Sequence, residues 1–436
     1  MTVSTAEAAN AKALASAAQR TAASDALVEH IDTNLAGRHY ADADRAKLEK
    51  LRADITGAQA ETQAEVQARQ ELQQAYDDST FAKKDADPAV KAKQKSLARV
   101  RAANKPVMHG KDNLVNTVCQ PCIDKEVEAV MDCDTPFYAK YGSGGGPKYK
   151  DCHDHTLGAY AGWDELIAAK VKTPSEKNVL VAMSANEGDL DAVQAYDSEI
   201  VTLGAMQKTV NPQGQGELPI QLREFRDDPA TAAVFERELG SEGYSIGANV
   251  IGKNKDGTPK LGSADVLYFT DPKNPAAKPI TGPALDQFIQ THADRRADTL
   301  GPFRALGRTP EFQKKQVLDF NDRLVNATAK KPAGYAHEIG DYISSEKASA
   351  LVLDQDVNRP GYVRTDFGQA LDKFYADHPS APKDPGLWTS AQQAVFEPVI
   401  TDNYSALRRG TDMLNRAVKL GQAGLSEVPG SLDFPP

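Results

Sequence analysis

Glu187 follows an apolar run, Val179-Leu180-Val181-Ala182-Met183, and precedes three acids, Asp189, Asp191 and Asp197. A carboxyl group at the end of a buried helix is desolvated. Desolvation disfavours the charged form, so such a glutamate stays protonated near neutral pH and can donate a proton. A second carboxylate in a wetter setting stays ionised. Glycosidic bonds are cut by that pairing: one acid protonates the leaving oxygen, and the other acts as base or nucleophile across the sugar. Glu187 is the candidate acid and Asp197 the candidate partner. Asp189 and Asp191 read as turn formers and caps on a solvated loop, the common fate of aspartate.

The elements that must position this pair lie on either side of it. Thr173-Pro174-Ser175-Glu176 is a helix start, with Thr173 as N-cap and Pro174 at the first helical position. That helix carries the chain to Glu187. Beyond it, Glu199-Ile200-Val201-Thr202-Leu203-Gly204 is β-prone, so the chain turns into a short hairpin. Gly204-Ala205-Met206-Gln207 closes the hairpin with small residues, as if something large approaches the backbone there. Thr202 and Gln207 are then set to hold water or sugar. Tyr196 and Tyr268 are candidate sugar-stacking platforms.

The combined segment resembles the active-site region of the lysozyme superfamily, especially phage-type lysozymes. The string from Asn186 to Gln207, NEGDLDAVQAYDSEIVTLGAMQ, followed by GQGELP from Gly214 to Pro219, resembles muramidase domains of type VI secretion effectors and phage-tail lysins. The string Asn358-Arg359-Pro360-Gly361 resembles the far side of the cleft in the same domains. The resemblance implies an α+β, predominantly helical, lysozyme-like domain with a small sheet. It implies a peptidoglycan hydrolase cutting the β-1,4 bond between N-acetylmuramic acid and N-acetylglucosamine without a cofactor. Glu187 would be the general acid, with Asp197 and Thr202 positioning water or stabilising the sugar cation. Glycan strands would be the substrate, and a secretion-machine or immunity protein the partner. Lytic transglycosylation, a chitin- or chitosan-type substrate, and a non-catalytic adaptor of a secretion or tail machine stay open.

All four cysteines, Cys119, Cys122, Cys133 and Cys152, fall between residues 106 and 160, with His153 and His155 following the last. Either a tetrahedral zinc site or two disulfides accounts for them. Asp354, Asp356 and Asn358 sit at the first, third and fifth positions of a calcium loop, but Arg359 and Thr365 occupy the places of its glycine and glutamate. Calcium is not expected, and these acids read as helix-end caps around a turn.

The 436 residues suffice for more than one core, and the net charge of −10 disfavours nucleic acid as a partner. No run approaches a membrane span, and the alanine-rich N-terminus lacks a secretory signal pattern. A cytoplasmic product delivered by another route to a target cell's periplasm or wall is the expectation. We divide the chain into an N-terminal helical segment (1–105), a Cys/His-containing loop-rich module (106–160), a lysozyme-like domain (161–427) and an extended tail (428–436). In the first segment, Leu48, Leu51, Ile55, Ala58, Thr62, Val66, Leu72 and Tyr76 make a helical stripe over 40–81. It packs either on a neighbouring helix of the chain or on a partner. Asn249 to Phe269 reads as a small sheet turning at Asp256-Gly257.

Overall fold

The computed structural model describes the chain apart from residues 1–4, 37–41, 82, 104–126, 129–130, 132, 142–143, 255–257, 293–298 and 436. The described chain is mostly helical with small antiparallel sheets. It divides into two compact units: Met1–Lys150 with His292–Thr299, and Asp151–Thr291 with Leu300–Pro436.

The first unit is built on three helices, α1 (Thr5–Leu35), α2 (Asp42–Asp78) and α3 (Pro88–Ala103). The apolar stripe of α2 is buried at Leu48, Leu51, Ile55, Leu72 and Tyr76. It meets α1 in antiparallel register: Arg52 pairs with Asp32, Gln59 donates to Asp25, and Asn10 donates to the Arg69 carbonyl. Leu72 and Tyr76 pack with Val90 and Leu97 of α3. The Tyr76 hydroxyl donates to Asp85 at 2.8 Å and accepts from Gln94 at 2.9 Å. The stripe is therefore covered by helices of the same chain. A hairpin follows, β1 (Phe137–Tyr141) on β2 (Gly144–Lys148). The glycine run reads as a loop in the sequence, yet part of it is a strand. At Gly145 a Cβ would lie 2.6 Å from the Ala139 carbonyl oxygen and 2.8 Å from the Tyr138 ring, so the close approach needs glycine.

The second unit starts with α4 (Trp163–Ala168) and α5 (Pro174–Ser184). The start of α5 is a capping box: Thr173 Oγ1 accepts from the Glu176 amide, and Glu176 Oε2 accepts from the Thr173 amide. Three short antiparallel strands come next, β3 (Val193–Gln194), β4 (Val201–Leu203) and β5 (Lys208–Val210). They lead to α6 (Glu217–Asp227), α7 (Ala232–Phe235) and a long hairpin, β6 (Tyr244–Lys253) with β7 (Pro259–Phe269). The expected turn at Asp256-Gly257 lies outside the described residues. The rest is helical: α8 (Pro283–His292), α9 (Gly301–Arg308), α10 (Pro310–Thr328), α11 (Ile339–Tyr342), α12 (Glu346–Asn358), α13 (Val363–Asp377), α14 (Ser390–Leu407) and α15 (Met413–Gln422).

The core of this unit gathers Leu180 and Met183 of α5, Val317, Phe320 and Leu324 of α10, and Leu351 and Val352 of α12. Each such side chain contributes roughly 1.5–3 kcal/mol by leaving water. This cluster fixes the end of α5, and with it Glu187. The sequence pattern suggests helices over 389–397 and 403–420, but the observed break is elsewhere. Helix α14 runs through Pro398, held by Ile400 and Tyr404, both buried. The break falls at 408–412, where Arg408 turns into the core and Asp412 takes φ +56°. The expected extended tail is a strap. Its Asp433 carbonyl accepts from Thr173 Oγ1 at 2.8 Å, and its Ser431 Oγ accepts from the Glu346 amide at 3.1 Å, so it ties together the starts of α5 and α12.

Candidate active site

Helix α5 ends in a turn in which the amides of Glu187 and Gly188 both donate to the Ser184 carbonyl, at 2.9 and 3.1 Å. The turn aims the Glu187 carboxyl at α15, where Arg416 Nη2 donates to Glu187 Oε1. The same guanidinium donates through Nε to Asp354 Oδ1 at 2.9 Å and through Nη1 to the Asn186 carbonyl at 3.2 Å. The second Asp354 oxygen takes Arg408 Nη1 at 2.8 Å, and both of those side chains are fully buried. One arginine thus serves two carboxylates on the Glu187 side. Glu187 retains only 9% side-chain exposure. Burial raises its pKa above the ordinary glutamate value, Arg416 pulls it back, and Asp354 pushes it up again; the net direction is upward.

Glu187 opens onto a cavity of about 550 Å³, which it lines with Asp151, His153, Ser184, Asp189 and Lys419 among others. Asp189 is 8% exposed. Its Oδ2 accepts from the His153 amide at 3.0 Å and lies 3.4 Å from His153 Nδ1. His153 holds φ +59°, a left-handed backbone that is uncommon for histidine and turns its ring over that carboxylate. Asp189 is therefore no solvated turn residue. Sequence reasoning missed this pair because a left-handed histidine 36 residues upstream leaves no periodic trace; the only signal was an acid two residues after Glu187.

The other candidates lie apart from that cavity's lining. Asp197 is partly buried, and its Oδ1 accepts the Glu199 amide at 2.9 Å, which makes it the cap of a turn before β4. Burial raises its pKa, and burial first and the Asp197 charge second raise that of Glu199. The expected wet, ionised partner of Glu187 is thus neither wet nor in the same cavity. Thr202 pairs with Gln194 and Thr209 in the sheet, and its side chain is buried, with no hydrogen-bond partner for the hydroxyl among the described residues. Tyr268 donates its hydroxyl across its own hairpin to the Ala248 carbonyl at 2.9 Å. Tyr196 is half-buried in the loop before β4. Gln207 does reach Glu187, but at the backbone: its amide nitrogen donates to the Glu187 carbonyl.

The close approach expected over Gly204-Ala205 has a different cause from a ligand. A Cβ at Gly204 would lie 2.1 Å from Gln316 Oε1, and that oxygen accepts the Ala205 amide at 3.0 Å. Gln316 Nε2 donates to the Leu190 carbonyl at 2.8 Å. This buried glutamine of α10 therefore binds the β4–β5 turn to the loop after Glu187.

Cys133 and Cys152 are both disulfide-bonded, which takes them out of any zinc site. Cys119 and Cys122 lie outside the described residues. No group of three metal-ligating side chains is found among the described residues. Asp354 and Asp356 are not caps around a turn. They lie inside α12 and turn inward, Asp354 to Arg408 and Arg416, and Asp356 to Arg323 at 3.1 Å. Asn358 accepts the Thr411 amide. No helix among the described residues is long and apolar enough to cross a membrane. Comparison of the chain with protein-family models, curated proteins and solved structures gave no match.

Proposed function

We propose that the chain is a glycosidase of the muramidase kind, cutting the β-1,4 bond between amino sugars of peptidoglycan with Glu187 as general acid. One observation carries this: a carboxyl group at a helix end, nearly buried and biased to its protonated form, opens onto a polar cavity. A group so poised gives its proton to a glycosidic oxygen. Asp189, held by His153, lines the cavity together with Asp151 and is the candidate to activate water. Asp197 is not. Gln207 positions the acid by fixing its backbone.

A second reading has its own support. The Glu187–Arg416–Asp354–Arg408 chain also fits a structural ion network in a non-catalytic adaptor. Turbidity loss of purified sacculi separates the two. The wild-type chain is expected to clear them and Glu187→Gln to be slower by about 10³-fold, the usual contribution of a general acid. Near-full activity in the variant would remove Glu187 from the chemistry. Fragment analysis for muramic acid, an anhydro product or chitin-type oligomers identifies the substrate and distinguishes hydrolysis from lytic transglycosylation.

A further inference from the structure

The Glu187 cavity continues into a second one of about 670 Å³; Gly158, Val181, Ala185 and Lys419 line both. One wall of the second cavity is a stripe of α5, Lys177, Asn178, Val181, Ala182 and Ala185, at the spacing of one helical face. From Lys177 to Ala185 the helix rises roughly 12 Å. The other wall is the end of α15 and the turn after it, from Lys419 to Leu425.

The charges lining the second cavity itself are one-sided. Lys177 and Lys419 line the second cavity and no acid does. Neither ammonium has a carboxylate within ion-pair distance among the described residues; Lys177 instead lies 5.8 Å from the centre of the Trp163 ring. A cation left without an internal carboxylate beside a concave, partly apolar surface is available to an anionic ligand. We propose that this groove is the arm that selects the substrate, and that Lys177 and Lys419 take the carboxylates of an acidic glycan. Lactyl or stem-peptide carboxylates of a muramic-acid polymer fit, and a neutral chitin chain would leave both lysines unanswered. The proposal rests on the glycosidase reading, to which it adds the substrate's charge. Val181, Ala182 and Leu425 supply the apolar floor for the sugar faces.

The test is equilibrium binding by calorimetry, using the full chain as Glu187→Gln so that nothing is cut. The probes are two soluble oligosaccharides of equal length, one of N-acetylglucosamine alone and one alternating with N-acetylmuramic acid. The acidic oligomer is expected to bind at least about tenfold more tightly at low salt. Lys177→Met and Lys419→Met should each remove about threefold of that preference, leave affinity for the neutral oligomer unchanged, and leave the unfolding temperature unmoved. The preference should shrink as salt rises. Equal binding of the two oligomers, binding of neither, or a preference that survives in the double variant overturns the proposal. Sacculus clearance by the wild-type chain, measured in parallel, shows whether the glycosidase reading falls with it: clearance without charge preference removes only the lysine arm.

Discussion

Two grooves of the C-terminal unit are lined with charge, and they use it in opposite ways. One, of about 460 Å³, lies between α6, α10 and the end of α12, and its cations are answered from within. Lys208 and Lys315 close on Asp319 at 2.8 and 2.6 Å, Arg323 bridges Glu217 and Asp356, and Lys330 meets Asp356. In the other, beside Glu187, Lys177 and Lys419 have no internal carboxylate among the described residues. The buried acids differ in the same sense. Asp319 lies between two lysines, and although burial pushes its pKa up, their attraction wins and it is lowered. Glu187 must share one arginine with Asp354, burial wins, and it is raised. Two carboxylates of similar burial thus take opposite protonation tendencies because of how many cations each one owns. The cations of the first groove are tied to its own acids; the second holds its acid above the usual glutamate pKa and leaves two lysines without an internal carboxylate among the described residues.

The largest effect should come from the residue that divides Arg416. Asp354→Asn leaves Arg408 in the core without its counter-charge, and breaking a fully buried pair this way costs about 3–5 kcal/mol. The folded fraction would carry a second signature. Arg416 would then belong to Glu187 alone, and the push from Asp354 would be gone. The Glu187 pKa should fall, moving the alkaline limb of the pH–rate profile to lower pH. Urea denaturation reads the first effect and the profile of sacculus clearance the second. A destabilised variant with an unmoved limb would break the link between the two.

A smaller effect is expected in the first groove. Asp319→Asn leaves Lys208 without its partner and Lys315 with Glu224 only, for a loss of about 1–3 kcal/mol. Clearance per folded molecule should not change. Glu187→Gln should do the reverse, abolishing clearance with little change in stability. If Asp319→Asn also lost clearance at full stability, the assignment of roles to the two grooves would have to be exchanged.

The sequence showed the acid and its helix more clearly than the partner of the acid. Glu187 was legible because its environment is local: a capping box at Thr173, an apolar run, then a break. The stripe of α2 was legible for the same reason. What stayed hidden was non-local or conformational. Arg416 lies 229 residues after Glu187, and nothing in the spacing pairs them. His153 meets Asp189 through a left-handed backbone. Asp354 and Asp356 imitated a loop motif because they alternate, although they lie in a helix buried on nearly every side, directly after the core residues Leu351 to Leu353. Gln316 betrays the same difficulty: a glutamine among Phe312, Val317 and Phe320 reads as a lapse in a stripe, and is the clamp that holds the site's loop.

The smallest predicted effect is the sharpest test of the contrast, because it is one of sign. Asp319 has a lowered folded pKa, so its stabilisation is present above the ordinary aspartate value of about 3.9 and is lost as pH falls through the lowered one. Glu187 has a raised folded pKa, so its relative contribution is present below the ordinary value of about 4.3 and is lost as pH rises through the raised one. Each unit of difference is worth about 1.4 kcal/mol. Urea midpoints of wild type, Asp319→Asn and Glu187→Gln across acid to neutral pH should therefore diverge. The wild type's advantage over Asp319→Asn should narrow toward low pH. Its standing against Glu187→Gln should worsen toward neutral pH. Were the wild type instead to gain on Glu187→Gln as pH rises, Arg416 would be holding Glu187 ionised. The acid would then belong with Asp319 among the structural charges, and its cavity would have no proton to give.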